Sequence, residues 1–415
     1  MKNRKIELLS PAGSFDSLQA AINAGADSVY FGVEQLNMRA KSVNTFCVDD
    51  IGEVAAICRA NGIKAYITLN TIIYGHDLQL LRGILSEVKK HGIDAVIASD
   101  FAVIEQCNQM GIPLHISTQA NVSNIEAVQF FARFSDVIVL ARELTLKQVE
   151  DICSEIKRRD LKGVSGELLK IEVFIHGALC MAISGKCYLS LHAQNSSANR
   201  GACTQNCRRS YLVKDAETGD ELLVDNEYIM SPRDLCTVDV LDRIISCGVD
   251  ILKIEGRSKG ADYVFTTTQC YDEAIDAIDS HSYSPEKIED WTKRLSAVYN
   301  RGFWAGYYLG HKPGEWTSQP GSAATEKKIY IGRGSNYYPK INIAEFTIET
   351  GFIKPGDTLM VTGPLCGMVK EKAATLVVNG AESPKAVKGD KITFPFTTKI
   401  GWKDKLYKIV SVENA

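Results

Sequence analysis

The chain has no apolar run approaching the ~20 residues that a membrane helix requires. Its first residues, MKNRKIELLSPAG, carry two early basic clusters with no apolar stretch before a small-residue cleavage site, so no secretory signal is expected. A GxGxxG phosphate loop is missing after the first strand pattern, and so are the HExxH and GxSxG signatures of zinc peptidases and serine hydrolases. There is no low-complexity tract and no repeat beyond a βα unit. These absences point away from membrane, secreted, dinucleotide-binding and hydrolytic proteins, and towards a cytoplasmic location.

What is present is a long alternation of short apolar strands and amphipathic helices. With 415 residues, 45% of them hydrophobic, the chain can bury a large core and divides most naturally into two domains. Strand patterns fall at 6–9, 28–33, 63–69, 95–98, 113–117, 136–141, 171–176 and 249–254. Helix patterns such as SFDSLQAAINAG, DLQLLRGILSEVKKHG and TLKQVEDICSEI lie between them, opened by Ser, Asp or Thr; glycine closes the first two. Eight such alternations predict an α/β fold, a (β/α)8 TIM-like barrel over residues 1–280. An open doubly wound sheet would show fewer strands and a glycine-rich loop. One connection is abnormal: 72 residues, 177–248, separate the seventh strand from the eighth.

A polar extension follows at 281–325, and the pattern then changes. "KKIYIGRG", "KINIAEFTI", "GDTLMVTG", "ATLVVNG" and "DKITFPF" are short strands broken by Gly, Pro and Asn, which predicts a small β-barrel over 326–415. Barrels of this type occur in translation factors and RNA-modifying enzymes. The net charge of −3 hides an asymmetry. Residues 326–415 hold 14 Lys/Arg and 9 Asp/Glu, whereas the rest hold 33 and 41. A basic end on an acidic body suggests a polyanionic partner, with Lys327, Lys328, Arg333 and Lys340 as phosphate contacts, although a solvated lysine-rich surface gives the same counts.

Five of the twelve cysteines, Cys180, Cys187, Cys203, Cys207 and Cys236, fall within 57 residues, all inside the long connection. In a reducing compartment such a concentration indicates metal binding or catalysis rather than disulfides. Only Cys203 and Cys207 have the close spacing usual for structural zinc. Cys207 is followed by Arg208-Arg209-Ser210, so the C-x3-C-x2-C of radical-SAM enzymes is absent. An iron–sulfur cluster held by widely separated thiolates fits best, with zinc and plain structural or redox thiols as alternatives.

Other polar residues collect at the predicted strand ends, where a barrel of this class builds its active site. These are His115, Ser117, Gln119 and Asn121 after strand five, Arg142 and Glu143 after strand six, and Lys253, Glu255 and Arg257 after strand eight. Arg39 follows strand two. Arginines at a barrel mouth supply the forked donors that carboxylates and phosphates require; a salt-bridge layer closing the barrel is the plainer account. We assign catalytic roles to Arg142, Glu143, Glu255 and Arg257, and substrate contacts to Arg39, Gln119, Asn121, Lys253, Arg208 and Arg209. Arg200 stands beside the cysteines as a further guide for a substrate. His176 is read as a satisfied core histidine.

The run EVFIHGALCMAISGKCYLS at 172–190 resembles the signature of the peptidase U32 family, E-x-F-x2-G-[SA]-[LIVM]-C-x4-G-x-C-x-[LIVM]-S, at every specified position. ELLSPAG, AGADSVYFG, STQANVSN, NRGACTQNCRRSY, MSPRDLC, KIEGR and NRGFWAGYYLG extend the resemblance over most of 6–310. Despite its name, the family implies oxygen-independent hydroxylation with a [4Fe–4S] cluster, on tRNA wobble uridine, an rRNA cytidine or a quinone ring. It implies Cys180, Cys187, Cys203 and Cys236 as ligands, with Cys207 as the alternative to Cys203. It also implies an electron-transfer or cluster-assembly partner and, in the RNA branch, the dicarboxylate prephenate as hydroxyl source. A barrel with one small β-domain is similar to the tRNA branch, forming 5-hydroxyuridine. A collagenase-like peptidase and the quinone and rRNA hydroxylases are the alternatives.

Overall fold

Strands that are apolar on both faces are stable only in a sheet covered by helices, and here the sheet closes on itself. The computed structural model describes residues 4–412 apart from 40–45, 212, 220, 223–229, 311–314, 318–320, 397 and 403. Strands β1 (Glu7–Pro11), β2 (Ser28–Phe31), β3 (Lys64–Leu69), β4 (Ala95–Ala98), β5 (Leu114–Ile116), β6 (Val137–Val139) and β7 (Lys170–Ala178) pair in parallel and in chain order. Helices α1 (Phe15–Asn23), α2 (Ile51–Ala60), α3 (Leu78–His91), α4 (Phe101–Met110), α5 (Ile125–Phe131) and α6 (Leu146–Arg158) alternate with them. Several are capped as their sequences require. The side chains of Ser14, Asp100, Asn124 and Thr145 accept backbone N–H groups at the N-termini of α1, α4, α5 and α6, while Gly92 and Gly111 close α3 and α4 in the left-handed conformation.

The long connection holds α7 (Leu189–Gln194), a hairpin of β8 (Val213–Lys214) and β9 (Glu221–Leu222), and β10 (Asp234–Cys236), and it ends in the short barrel helix α8 (Leu241–Ser246). Strand β11 (Ile251–Ile254) then closes the ring by pairing in parallel with both β7 and β1. The fold is therefore an α/β barrel of eight parallel strands. Four short strands were not expected, β8, β9, β10 and β12 (Phe303–Trp304); β10 pairs antiparallel with the end of β7 and in parallel with β12, which extends the sheet beyond the ring. Between β11 and β12 lie α9 (Ala261–Asp279) and α10 (Pro285–Ala297).

Side chains sort by face. Leu9, Tyr30, Tyr66, Ala95, Ile97, Val137 and Ile251 fill the barrel interior, and a larger apolar layer lies between strands and helices. Beneath the mouth the interior turns polar. Glu172, fully buried, accepts from Lys253 Nζ at 2.6 Å and faces His115 Nδ1 at 3.1 Å. His115 lies against Tyr66, whose hydroxyl donates to Glu7 at 2.6 Å.

The C-terminal part is built of antiparallel strands, as its sequence pattern predicts. Strands β13 (Glu326–Tyr338), β14 (Ile343–Ile348), β16 (Thr358–Gly363), β17 (Gly367–Lys372), β18 (Val377–Val378), β19 (Ala381–Glu382), β21 (Lys391–Pro395) and β22 (Lys405–Ser411) form one antiparallel sheet in the order 17-16-22-13-14-21-18-19. Its two end strands are not paired with each other among the described residues. Strands β15 (Phe352–Ile353) and β20 (Ala386–Val387) make a separate ribbon. The sheet has its own core around Phe346, Phe394, Phe396 and Leu406, and it touches the barrel through a small cluster of Ala20, Ala261, Met360 and Met368. Among the described residues no helix is long and apolar enough to cross a membrane.

Candidate active site at the barrel mouth

The C-terminal ends of the strands converge on one cavity. Tyr30 from β2, Thr68 from β3, Ile97 from β4, Phe174 and Ala178 from β7, and Lys253 from β11 line it, joined by Gln119, Arg142, Glu255 and Arg257 from the loops that follow strands. Cys180, Cys187, Cys203 and Cys207 line the same cavity. The long connection thus lays four thiols over the barrel mouth.

Glu255 is the electrostatic centre. Arg39 donates to one carboxylate oxygen at 3.1 Å and the Tyr30 hydroxyl to the other at 3.1 Å. Burial alone would raise this carboxyl; Arg39, Arg142 and Arg257 outweigh it and hold the group at about 2. Arg257, itself buried, donates to Asn37 and to Thr68. Arg142 donates to the Ala178 carbonyl at 2.9 Å and lies 3.7 Å over the Phe174 ring. The Nε atoms of Arg142 and Arg257 are buried and have no hydrogen-bond partner among the described residues. Such donors are costly to leave unpaired, which marks places for an anionic ligand. Two glycines permit this closeness. A Cβ on Gly32 would lie 2.6 Å from Arg257 Nη1, and one on Gly177, whose φ is +105°, would lie 2.4 Å from the Glu255 carbonyl.

Of the residues expected from sequence, Arg39, Gln119, Arg142, Lys253, Glu255 and Arg257 come together here. Glu143 does not: it is exposed in the turn after β6, off the cavity. Asn121 also misses the cavity, because its left-handed turn directs the amide to the Gln119 carbonyl. Arg208 is consumed as a strap, donating to the carbonyls of Leu179 and Pro232 at 2.5 and 2.7 Å. Arg209 is exposed, and Arg200 is paired with Asp77 at 2.5 Å.

The structure also separates the cysteines. Cys236 lies on β10, buried, with the Tyr271 hydroxyl 3.9 Å from its sulfur, and burial pushes its thiol up to about 12. Cys207 takes the place beside Cys180, Cys187 and Cys203 that Cys236 was expected to fill. His176 sits away from the cavity among the rings of Tyr263, Tyr271 and Phe303, and burial lowers it to about 3, so it is neutral. Tyr30, Thr68 and Phe174 were not anticipated. Their signal was the inward strand position just before each predicted loop, and Phe174 is also a fixed position of the 172–190 signature.

Free thiols, soft and anionic when ionised, are the donors that zinc or an iron–sulfur cluster takes, and four on one cavity wall match that chemistry. They share a wall rather than a coordination sphere, since no three or more His, Cys, Asp or Glu among the described residues are gathered closely enough to hold a metal ion.

The sequence profile described as Peptidase family U32 matches residues 13–318. The chain belongs to the peptidase U32 family. Its U32 relatives carry two kinds of name. A "Collagenase" from Porphyromonas gingivalis is 49% identical over 408 residues, 98% of this chain and 99% of that protein. The "tRNA hydroxylation protein P1" of Bacillus subtilis is 30% identical over 372 residues, 87% of this chain and 84% of that one. The "23S rRNA 5-hydroxycytidine C2501 synthase" of Escherichia coli is 36% identical over 283 residues, 67% of this chain but 40% of that protein. In structural terms, the U32 signature is the strand that carries Glu172 and Phe174 into the barrel, together with the turn that delivers Cys180 and Cys187 to its mouth.

Proposed function

We propose that the chain is an RNA-modifying enzyme, an oxygen-independent tRNA hydroxylase forming 5-hydroxyuridine at the wobble position. The observation that carries the reading is the meeting of four thiols and an arginine-rich anion pocket in one cavity. Cys180, Cys187, Cys203 and Cys207 are the proposed donors to a [4Fe–4S] cluster, which when bound supplies one-electron transfer. A dicarboxylate such as prephenate would satisfy the buried, unpaired Nε donors of Arg142 and Arg257. Glu255, kept ionised, fixes Arg39 and Tyr30 and so orders the rim. Lys253 stays on Glu172 at the floor and adds positive charge without an exposed proton. An extruded base would enter beside the Arg142 guanidinium, a planar cation that already lies on the Phe174 ring.

The peptidase reading has less support here. None of the described residues lining the cavity is a histidine, the usual base for a nucleophilic thiol.

The test has two arms. Nucleoside mass spectrometry of tRNA from cells lacking the chain is expected to show loss of 5-hydroxyuridine, restored by the parent gene; unchanged tRNA rejects the reading. Protein purified without oxygen is expected to be brown, with about four irons per chain. Cys207→Ser should lose that iron while Cys236→Ser keeps it. The reverse pattern would return Cys236 to the donor set.

A further inference from the structure

Three lysines converge on a single exposed aromatic ring in the C-terminal sheet. Phe352, on the ribbon strand β15, keeps 41% of its surface exposed. The ammonium groups of Lys385, Lys408 and Lys354 lie 4.6, 4.7 and 5.4 Å from its ring centre. Val387, its cross-strand partner on β20, is also exposed at 43%, which makes a small apolar floor. Of the three lysines only Lys408 is paired, with Asp357 at 2.6 Å; among the described residues Lys354 and Lys385 form no ion pair. A groove lined by Pro355, Leu376, Glu382 and Pro384 opens next to the chain neighbours of those two lysines.

We propose that Phe352, Lys354 and Lys385 form a stacking platform for an unpaired nucleotide of RNA, separate from the barrel cavity. A ring edged by ammonium groups offers what single-stranded nucleic acid binds: a π-face for one base and cations for the flanking phosphates. The lysine stems can swing from the ring to phosphates without moving the backbone. Charge complementarity selects the partner, since this part of the chain carries 14 Lys/Arg against 9 Asp/Glu on an otherwise acidic protein. The proposal rests on the RNA-modifying reading and adds where a second part of the RNA is held.

The experiment measures binding of the full-length chain to a short stem–loop RNA over a range of salt. Phe352→Ala is expected to weaken binding about tenfold with an unchanged salt slope, because one stacked base is lost and no charge. Phe352→Trp should restore it. Lys354→Gln with Lys385→Gln should lower the slope by about 1.4, two single-strand phosphate contacts. On a blunt duplex of the same composition Phe352→Ala should have little effect. Equal binding of parent and Phe352→Ala to the stem–loop overturns the proposal, as does equal loss on duplex and stem–loop. Displacement of the RNA by an acidic peptide at comparable concentration would overturn it in favour of a protein partner. If the parent itself binds no RNA, the functional reading falls first, and that outcome is distinct from a parent that binds without needing Phe352.

Discussion

A single carboxylate, Glu255, sets the character of the barrel mouth, because the three guanidiniums arranged around it leave the rim with surplus positive charge. Arg257 does not touch the cysteine turn: its Nη1 holds Asn37 and Thr68 inside the rim, and its Nε has no partner among the described residues. Arg142, by contrast, also holds the Ala178 carbonyl at the start of the cysteine turn. Arg257→Ala is therefore the cleaner probe. It should weaken use of a dicarboxylate donor about tenfold to hundredfold, the loss of one charge-assisted contact of roughly 1.5–3 kcal/mol. Steady-state rates against donor concentration check this. Recovery at high donor means the contact is for binding, and a persistent loss means it also serves the chemistry. Iron content equal to the parent is part of the expectation; loss of iron would make Arg257 a support of the rim.

Strand β7 shows how much one element can decide. Glu172 and Phe174 face the barrel interior, and an alternating strand would bring His176 to the same face. A register irregularity against β11, between Lys253 and Ile254, pairs His176 with Ile254 and sends it outward. The strand itself was legible in the sequence as an apolar run, as were the other seven in the ring, because β-branched residues bounded by Gly, Asp and Asn leave few other readings. The bulge was not legible, since no residue type marks it. Nor was β10, three residues long, whose pairing places Cys236 in an apolar layer away from the other thiols. Glu143 and Asn121 failed for a related reason: proximity to a strand end does not fix which way a turn points its side chains.

The same strand carries a pH-sensitive load. Burial raises the Glu172 carboxyl, but Lys253 and His115 outweigh it and bring it from its ordinary 4.5 to about 2. A carboxyl lowered in the folded state stabilises the fold above pH 4.5, and that contribution fades as pH falls from 4.5 towards 2. Glu172→Gln leaves Lys253 buried without its counter-charge and should cost roughly 3–5 kcal/mol at neutral pH. The deficit relative to the parent should shrink below pH 4.5. Denaturant unfolding of both proteins across that range checks the sign; a deficit that grows on acidification would contradict it.

At the scale of the whole molecule, charge and packing divide the chain in the same place. The C-terminal sheet has its own aromatic core and meets the barrel through an apolar cluster of Ala20, Ala261, Met360 and Met368 joined by Phe265, Tyr407 and Ile409, with Lys328 paired to Asp262 and Asn23 donating to the Cys366 carbonyl. A contact of that size does not hold the barrel together, whose strands and helices carry a separate apolar layer. Removing 326–415 should then leave the barrel folded and its thiols in place, so iron incorporation should match the full chain. RNA affinity should fall and its salt dependence flatten, because the removed part carries a net charge of +5. Binding isotherms at several salt concentrations separate the two arrangements. An unchanged slope would put the phosphate contacts on the barrel, around the exposed Arg209 and the cavity rim, and would leave the sheet without a part in holding RNA.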